Sequence, residues 1–160
     1  MNLIALAESK GMYLCAAESL TAGRIATEIA NYPGASKVFL GSIVSYSDSS
    51  KSGLLAVAAN LIAERTSVDA EVAIQMARGA RAKFAEANRL DIEKVMAVSA
   101  TGVAGPDSVG DKPPGLVLIG IASSQGGRAT SLQLAGNRSE ISELAAMAAL
   151  ALIREELERF

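Results

Sequence analysis

Strand-length apolar runs alternate with longer stretches of helical period along this chain, and that alternation restricts the folds open to it. Met12–Ala17 is a compact apolar run that reads as a buried strand. A helix is expected to follow to about Asn31, with Ala22, Ile25, Ala26 and Ile29 on one face. Val38–Ser47 is rich in strand formers, and Asp48–Val57 and Ala58–Arg65 read as short helices. Val68–Asn88 is strongly amphipathic, with Val72, Met76, Ala77, Ala80 and Phe84 in helical phase. Lys94–Ala100 reads as a strand. Leu116–Ser123 and Ala129–Leu134 read as a hairpin joined by Ser124-Gln125-Gly126-Gly127. Helices are expected at both ends, over Met1–Lys10 with Gly11 as its stop, and over Ser139–Leu157. Alternation of this kind predicts an α/β fold with helices on both faces of a sheet. The late hairpin makes that sheet mixed, though mostly parallel. With 160 residues, one three-layer α/β/α domain over residues 1–160 is expected. Aromatic residues are only 4% of the chain, so Ala, Leu, Ile and Val must build the core.

Composition removes several classes of chemistry. The chain has no His, which eliminates Ser-His-Asp and Cys-His mechanisms and His-ligated metals. A single Cys, Cys15, excludes an internal disulfide and a multi-thiolate zinc site; inside an apolar run it reads as a small core residue. The formal net charge is −2 and the basic residues are scattered, so no nucleic-acid footprint is visible. The late apolar run Leu144–Ile153 has ten residues, too few to span a bilayer. Met1–Lys10 lacks the order of a signal peptide. A cytoplasmic protein with no membrane partner is the expectation.

Ligand sites on such sheets gather outside strand ends, and three polar loops follow candidate strands. In Glu18–Gly23, Ser19 or Thr21 can simply cap the next helix. The sharper reading makes Ser19 a nucleophile, with the N–H groups of Leu20–Gly23 or Gly102–Val103 as an oxyanion hole. Its base cannot be His. Ser45–Lys51 offers Lys51, which serves as a base if burial lowers its pKa, with the Tyr46 hydroxyl relaying the proton or holding the amine. The plain alternative is a solvated Lys in a Ser-rich turn. Thr101–Pro106 opens a Gly/Pro/Asp segment that reaches Pro114, and its peptide N–H groups can converge on an anion. Arg138 can bind a phosphate with its planar fork, or it lies on the surface beside an Asn137 or Ser139 cap.

Taken together, these segments resemble the C-terminal domain of the CinA family, the competence/damage-inducible proteins, from about Met12 to Leu157. Ala17–Gly23 is similar to the family element A-E-S-C-T-G-G, and Gly41–Lys51 to G-G-x-V-S-Y-S-N-x-x-K. Ala100–Pro106 resembles V-T-G-I-A-G-P, Lys112–Gly115 resembles K-P-V-G, and Gly136–Arg138 resembles G-D-R. Standalone members of the family are nicotinamide-nucleotide amidohydrolases. The resemblance implies hydrolysis of the carboxamide of nicotinamide mononucleotide to nicotinate mononucleotide and ammonia. It implies Ser19 as nucleophile, Tyr46 and Lys51 as its assistants, and Thr101 and Arg138 as substrate contacts. Thr21, Gly102 and Gly105 are further substrate-binding candidates. No metal or cofactor is expected. The implied partner is a small pyridine nucleotide, and the resemblance and the Ala-rich helices imply a homo-oligomer. Larger members carry an N-terminal domain linked to nucleotide pyrophosphatase activity, which this chain is expected to lack. Leu20, Ala22, Asp107 and Asn137 depart from the family elements. The first three favour a second reading, a non-catalytic nucleotide-binding or regulatory module. A third is a structural subunit that only oligomerises.

Overall fold

In the computed structural model, which describes residues 1–160, the chain runs α1 (Leu3–Ser9), β1 (Tyr13–Glu18), α2 (Arg24–Ala30), β2 (Phe39–Val44), α3 (Asp48–Leu55), α4 (Ala59–Arg65), α5 (Ala70–Asn88), β3 (Val95–Gly102), β4 (Leu116–Ser123), β5 (Gly126–Gln133) and α6 (Arg138–Glu158). The five strands form one mixed sheet in the order β2-β1-β3-β4-β5. β1 pairs in parallel with both β2 and β3. β3, β4 and β5 pair antiparallel. The pairings therefore divide evenly between parallel and antiparallel.

The crossover from β1 to β2 moves one way across the sheet, and that from β2 to β3 moves back past β1. Crossovers of one hand running in opposite directions put their helices on opposite faces. One face is covered by α1, α2 and α6, whose Leu3, Ile25, Ile29, Ile141 and Ile153 pack on Leu14, Met96, Val98 and Ile119. The other is covered by α3, α4 and α5, with Leu55, Ile62, Val72 and Met76 over Cys15, Ala17, Val95 and Ala97. The scarcity of aromatic residues has a structural counterpart in close layer contact. A Cβ on Gly120 would clash with the Ala73 carbonyl oxygen of α5, and within the helical layer one on Gly79 would clash with that of Leu55 in α3.

Among the boundaries that differ from the sequence expectation, β2 ends at Val44 rather than Ser47, and two others depend on a strand partner. β3 continues through Thr101 and Gly102, because these pair with Leu118 and Val117 of β4. Local composition could not show that partner. The β4–β5 turn shortens to Ser124-Gln125, since Gly126 and Gly127 already pair with Ser123 and Ala122.

The junction from β1 to α2 is organised by Glu18, a fully buried carboxylate. Its Oε2 accepts from the N–H groups of Gly23 at 2.8 Å and Ile25 at 3.1 Å. Its Oε1 accepts from the Ala26 N–H at 3.0 Å and the Ser42 hydroxyl at 2.8 Å. A carboxylate has about four acceptor positions, and here four donors use them. A buried charge is tolerated when it is hydrogen-bonded in this way, and the positive end of a helix favours it further. The expectation that Ser19 or Thr21 caps the helix is thereby corrected. Position N-cap is Gly23, with no side-chain cap bond, and Glu18 reaches the helix start from the strand end.

Replacing Glu18 by Gln puts an amide N–H₂ against donors and removes the charge. Hydrogen bonds to charged groups are worth about 1.5–3 kcal/mol. Glu18→Gln is therefore expected to lower the melting temperature by about 4–8 °C. A melting curve superimposed on that of the wild type would show that the carboxylate does not hold this junction.

Candidate active site

Three parallel strand ends meet at one place. In the β1–β3 register Glu18 lies opposite Ala100, and the Ser19 N–H donates to the Ala100 carbonyl at 3.0 Å. In the β1–β2 register Glu18 lies opposite Val44, and the Ser45 N–H donates to the Glu18 carbonyl at 2.8 Å. Ser19, Tyr46 and Thr101 are brought to the same edge by pairing alone. It is also where the chain's crossovers diverge, the point at which open α/β sheets form a crevice.

A cavity of about 310 Å³ opens there. Its walls are Ser19 and Leu20 after β1, Tyr46 and Lys51 after β2, Ser67 and Val68 before α5, residues 101–109 from β3 onward, and Arg138 at the start of α6. Seven of the eight candidate residues line it: Ser19, Tyr46, Lys51, Thr101, Gly102, Gly105 and Arg138. The eighth, Thr21, does not. It is wholly buried behind the wall, and its hydroxyl has no hydrogen-bond partner.

Lys51 is only 1% exposed, so the solvated-loop reading fails. Burial pushes its pKa below the ordinary lysine value, and the carboxylate of Asp48, 3.7 Å from Nζ, partly opposes that shift. The amine donates to the main-chain carbonyl of Tyr46 at 3.2 Å. The Tyr46 hydroxyl was expected to hold or relay for that amine, but it accepts instead from Arg138 Nη1 at 3.1 Å. Tyr46 thus serves Lys51 through its backbone and Arg138 through its side chain.

The loop contributions also change in detail. Thr101 belongs to a strand, and its hydroxyl donates to the Ser67 carbonyl at 2.8 Å, clasping the α4–α5 connection to β3. The Val103 N–H donates to the Leu116 carbonyl at 2.9 Å and is removed from the list of oxyanion donors. No backbone acceptor takes the N–H groups of Leu20, Thr21, Ala104 or Gly105. Ala22 does not reach the cavity. Its departure from glycine is felt in the backbone instead, at φ +48°, where side chains are disfavoured. Asn137 caps α6, accepting from Ser139 N–H at 3.0 Å and Glu140 N–H at 3.1 Å, while Glu140 accepts from the Asn137 N–H at 2.7 Å. Arg138 follows this cap, and its guanidinium donates to the Tyr46 hydroxyl rather than to the side chain at position 137.

Three participants escaped the sequence reading. Glu18 had a signal, a lone charge closing an apolar run just before a helix. Asp48 could have been paired with Lys51 from its i,i+3 spacing on a helix. Ser67 had none, because only the tertiary clasp with Thr101 brings it to the cavity.

No helix is long and apolar enough to cross a membrane. The family profile described as CinA C-terminal domain matches residues 1–157. A competence-damage inducible protein of Streptococcus gordonii is 40% identical over 153 residues, 95% of this chain and 35% of the relative. One from Streptococcus pneumoniae is 38% identical over 149 residues, 92% of this chain and 34% of the relative. The chain thus spans about a third of the length of these curated relatives. Among solved structures, the competence damage-inducible protein A of Klebsiella pneumoniae superimposes with a TM-score of 0.84 at 23% identity, covering 100% of this chain and 99% of the other. The competence/damage inducible protein CihA of Agrobacterium tumefaciens gives 0.80 at 27% identity, covering 98% and 95%. With the family profile spanning nearly every residue, the chain belongs to the CinA C-terminal domain family.

Proposed function

We propose that this domain is an amidohydrolase that removes ammonia from the carboxamide of nicotinamide mononucleotide. The observation that carries the reading is Lys51, a buried lysine of lowered proton affinity on the wall that Ser19 shares. A buried amine of that kind is a competent base for a serine hydroxyl in a chain without histidine.

In the proposed course, Ser19 Oγ attacks the carboxamide carbon and its proton passes to the neutral Lys51 amine. The free N–H group of Leu20, one residue beyond the nucleophile and on the same wall, stabilises the oxyanion. The tetrahedral adduct collapses as Lys51 returns the proton to the departing nitrogen, releasing ammonia. Water then attacks the acyl ester, giving its proton to Lys51, and the Ser19 oxygen leaves and is reprotonated. Nicotinate mononucleotide is released. Arg138, anchored by Tyr46, supplies the cationic partner for the phosphate, with the free N–H groups of Ala104 and Gly105 adding donors.

Only unprotonated Lys51 accepts a proton. The rate is therefore expected to rise with pH through a midpoint below the ordinary lysine value of about 10.4 and to flatten above it. Ser19→Ala is expected to lower ammonia release by roughly 10³-fold or more, Lys51→Met by nearly as much, and the double variant by little more. A Lys51→Met protein with near wild-type kcat/KM would leave Ser19 without its base and end this reading.

Arg138→Ala is expected to raise KM roughly tenfold or more with a smaller effect on kcat, and Tyr46→Phe a few-fold, since one charged and one neutral contact are lost. Calorimetry should find the nucleotide bound more tightly than its riboside or free base, and less tightly as salt rises. Equal affinity for all three compounds would sink the phosphate site.

A further inference from the structure

The Lys51 amine has one polar neighbour in the backbone and one charged neighbour. The Tyr46 carbonyl accepts from Nζ at 3.2 Å, and the Asp48 carboxylate lies 3.7 Å away on the same face of α3. The two side chains differ sharply in surroundings, with Lys51 2% exposed and Asp48 61%. A carboxylate at the rim thus acts on an amine in the interior, where a charge is poorly screened. We propose that Asp48 sets the protonation equilibrium of Lys51, and with it the pH range in which the Ser19–Lys51 pair works. The catalytic meaning of this assignment rests on the amidohydrolase reading.

Other charged groups around Lys51 are engaged elsewhere or lie beyond ion-pair distance. Arg138, from α6, is held on the Tyr46 hydroxyl. The Glu18 carboxylate is saturated by α2 and Ser42. Glu71 and Arg78 of α5 face each other at 4.0 Å. Glu64 and Arg65 of α4, and Asp107 across the cavity, make no ion pair with Lys51. Asp48 alone pairs with it. Burial lowers the amine's proton affinity and Asp48 restores part of it. An acyl transfer that returns a proton to a departing nitrogen needs both states of the amine within reach. A lysine governed by burial alone would be unprotonated already at lower pH, and its ammonium, once it had taken the Ser19 proton, would be the stronger acid; Asp48 shifts that balance back toward the protonated form. Asp48 is a positioning residue, because it acts on the reaction only through Lys51.

The test titrates the chain's six lysines by NMR with ¹³Cε-labelled lysine, assigning Lys51 from the signal missing in Lys51→Met. Wild type, Asp48→Asn and Asp48→Glu are compared after circular dichroism and melting curves establish that each is folded. Asp48→Asn is expected to lower the Lys51 midpoint by about half a pH unit to one unit. Asp48→Glu, which keeps the charge, should stay near wild type, and the gap between wild type and Asp48→Asn should largely persist in 1 M salt, because a pair with one partner buried is screened much less than two exposed charges. An unchanged or raised midpoint in Asp48→Asn overturns the proposal. Ammonia release is then followed against pH, and the acid limb should move down with the titration, raising the rate below the midpoint by about three- to tenfold. If the titration moves as expected and no variant releases ammonia, the amidohydrolase reading fails while the control of Lys51 by Asp48 stands.

Discussion

The candidate site depends on one buried carboxylate. Glu18 ends β1, saturates the open N–H groups of α2 and takes the Ser42 hydroxyl from β2. An unpaired carboxylate in that position would be strongly disfavoured, so the strand end, the helix start and the neighbouring strand must meet in one arrangement. Because the helix is capped from the strand side, Ser19 is released from a duty that serines at such junctions often perform. The residue beside the nucleophile candidate thus makes its availability possible without touching a ligand.

Sheet order does the rest of the positioning. β1 lies between β2 and β3, so the segments following all three parallel strands open on one edge. Each supplies a different chemistry: a hydroxyl and a free N–H group after β1, an interior amine after β2, a clasped threonine at the end of β3 and unengaged N–H groups just beyond it. Arg138 comes from much later in the chain, held by the capping box of Asn137 and Glu140. Two basic side chains, one buried and one at the surface, stand at different depths of the cavity.

Period-based features of the chain were legible. The strand cores, the long α5 stripe and the last helix follow from apolar spacing, because burial on one face imposes that spacing directly. Boundaries controlled by a distant partner were not. Thr101 and Gly102 read as loop because glycine and threonine say little about pairing with Val117 and Leu118. The site showed the same division. Ser19, Lys51 and Arg138 stood out as residue types, and they do share one cavity. Which atom of Tyr46 meets Lys51 was a matter of side-chain direction, and the resemblance could not supply it. Thr21 was misplaced because its neighbours pointed to a site while the turn aimed its hydroxyl inward.

The two faces of the sheet carry separate cores, a large one beneath α1, α2 and α6 and a smaller one beneath α3, α4 and α5. Lys51 belongs to a helix of the smaller core, and Arg138 begins a helix of the larger. A molecule lodged between them would bridge the two layers over the rim of the sheet, as the Arg138–Tyr46 hydrogen bond already does. The two basic groups of the cavity are brought together only when each layer has packed on its own face of the sheet.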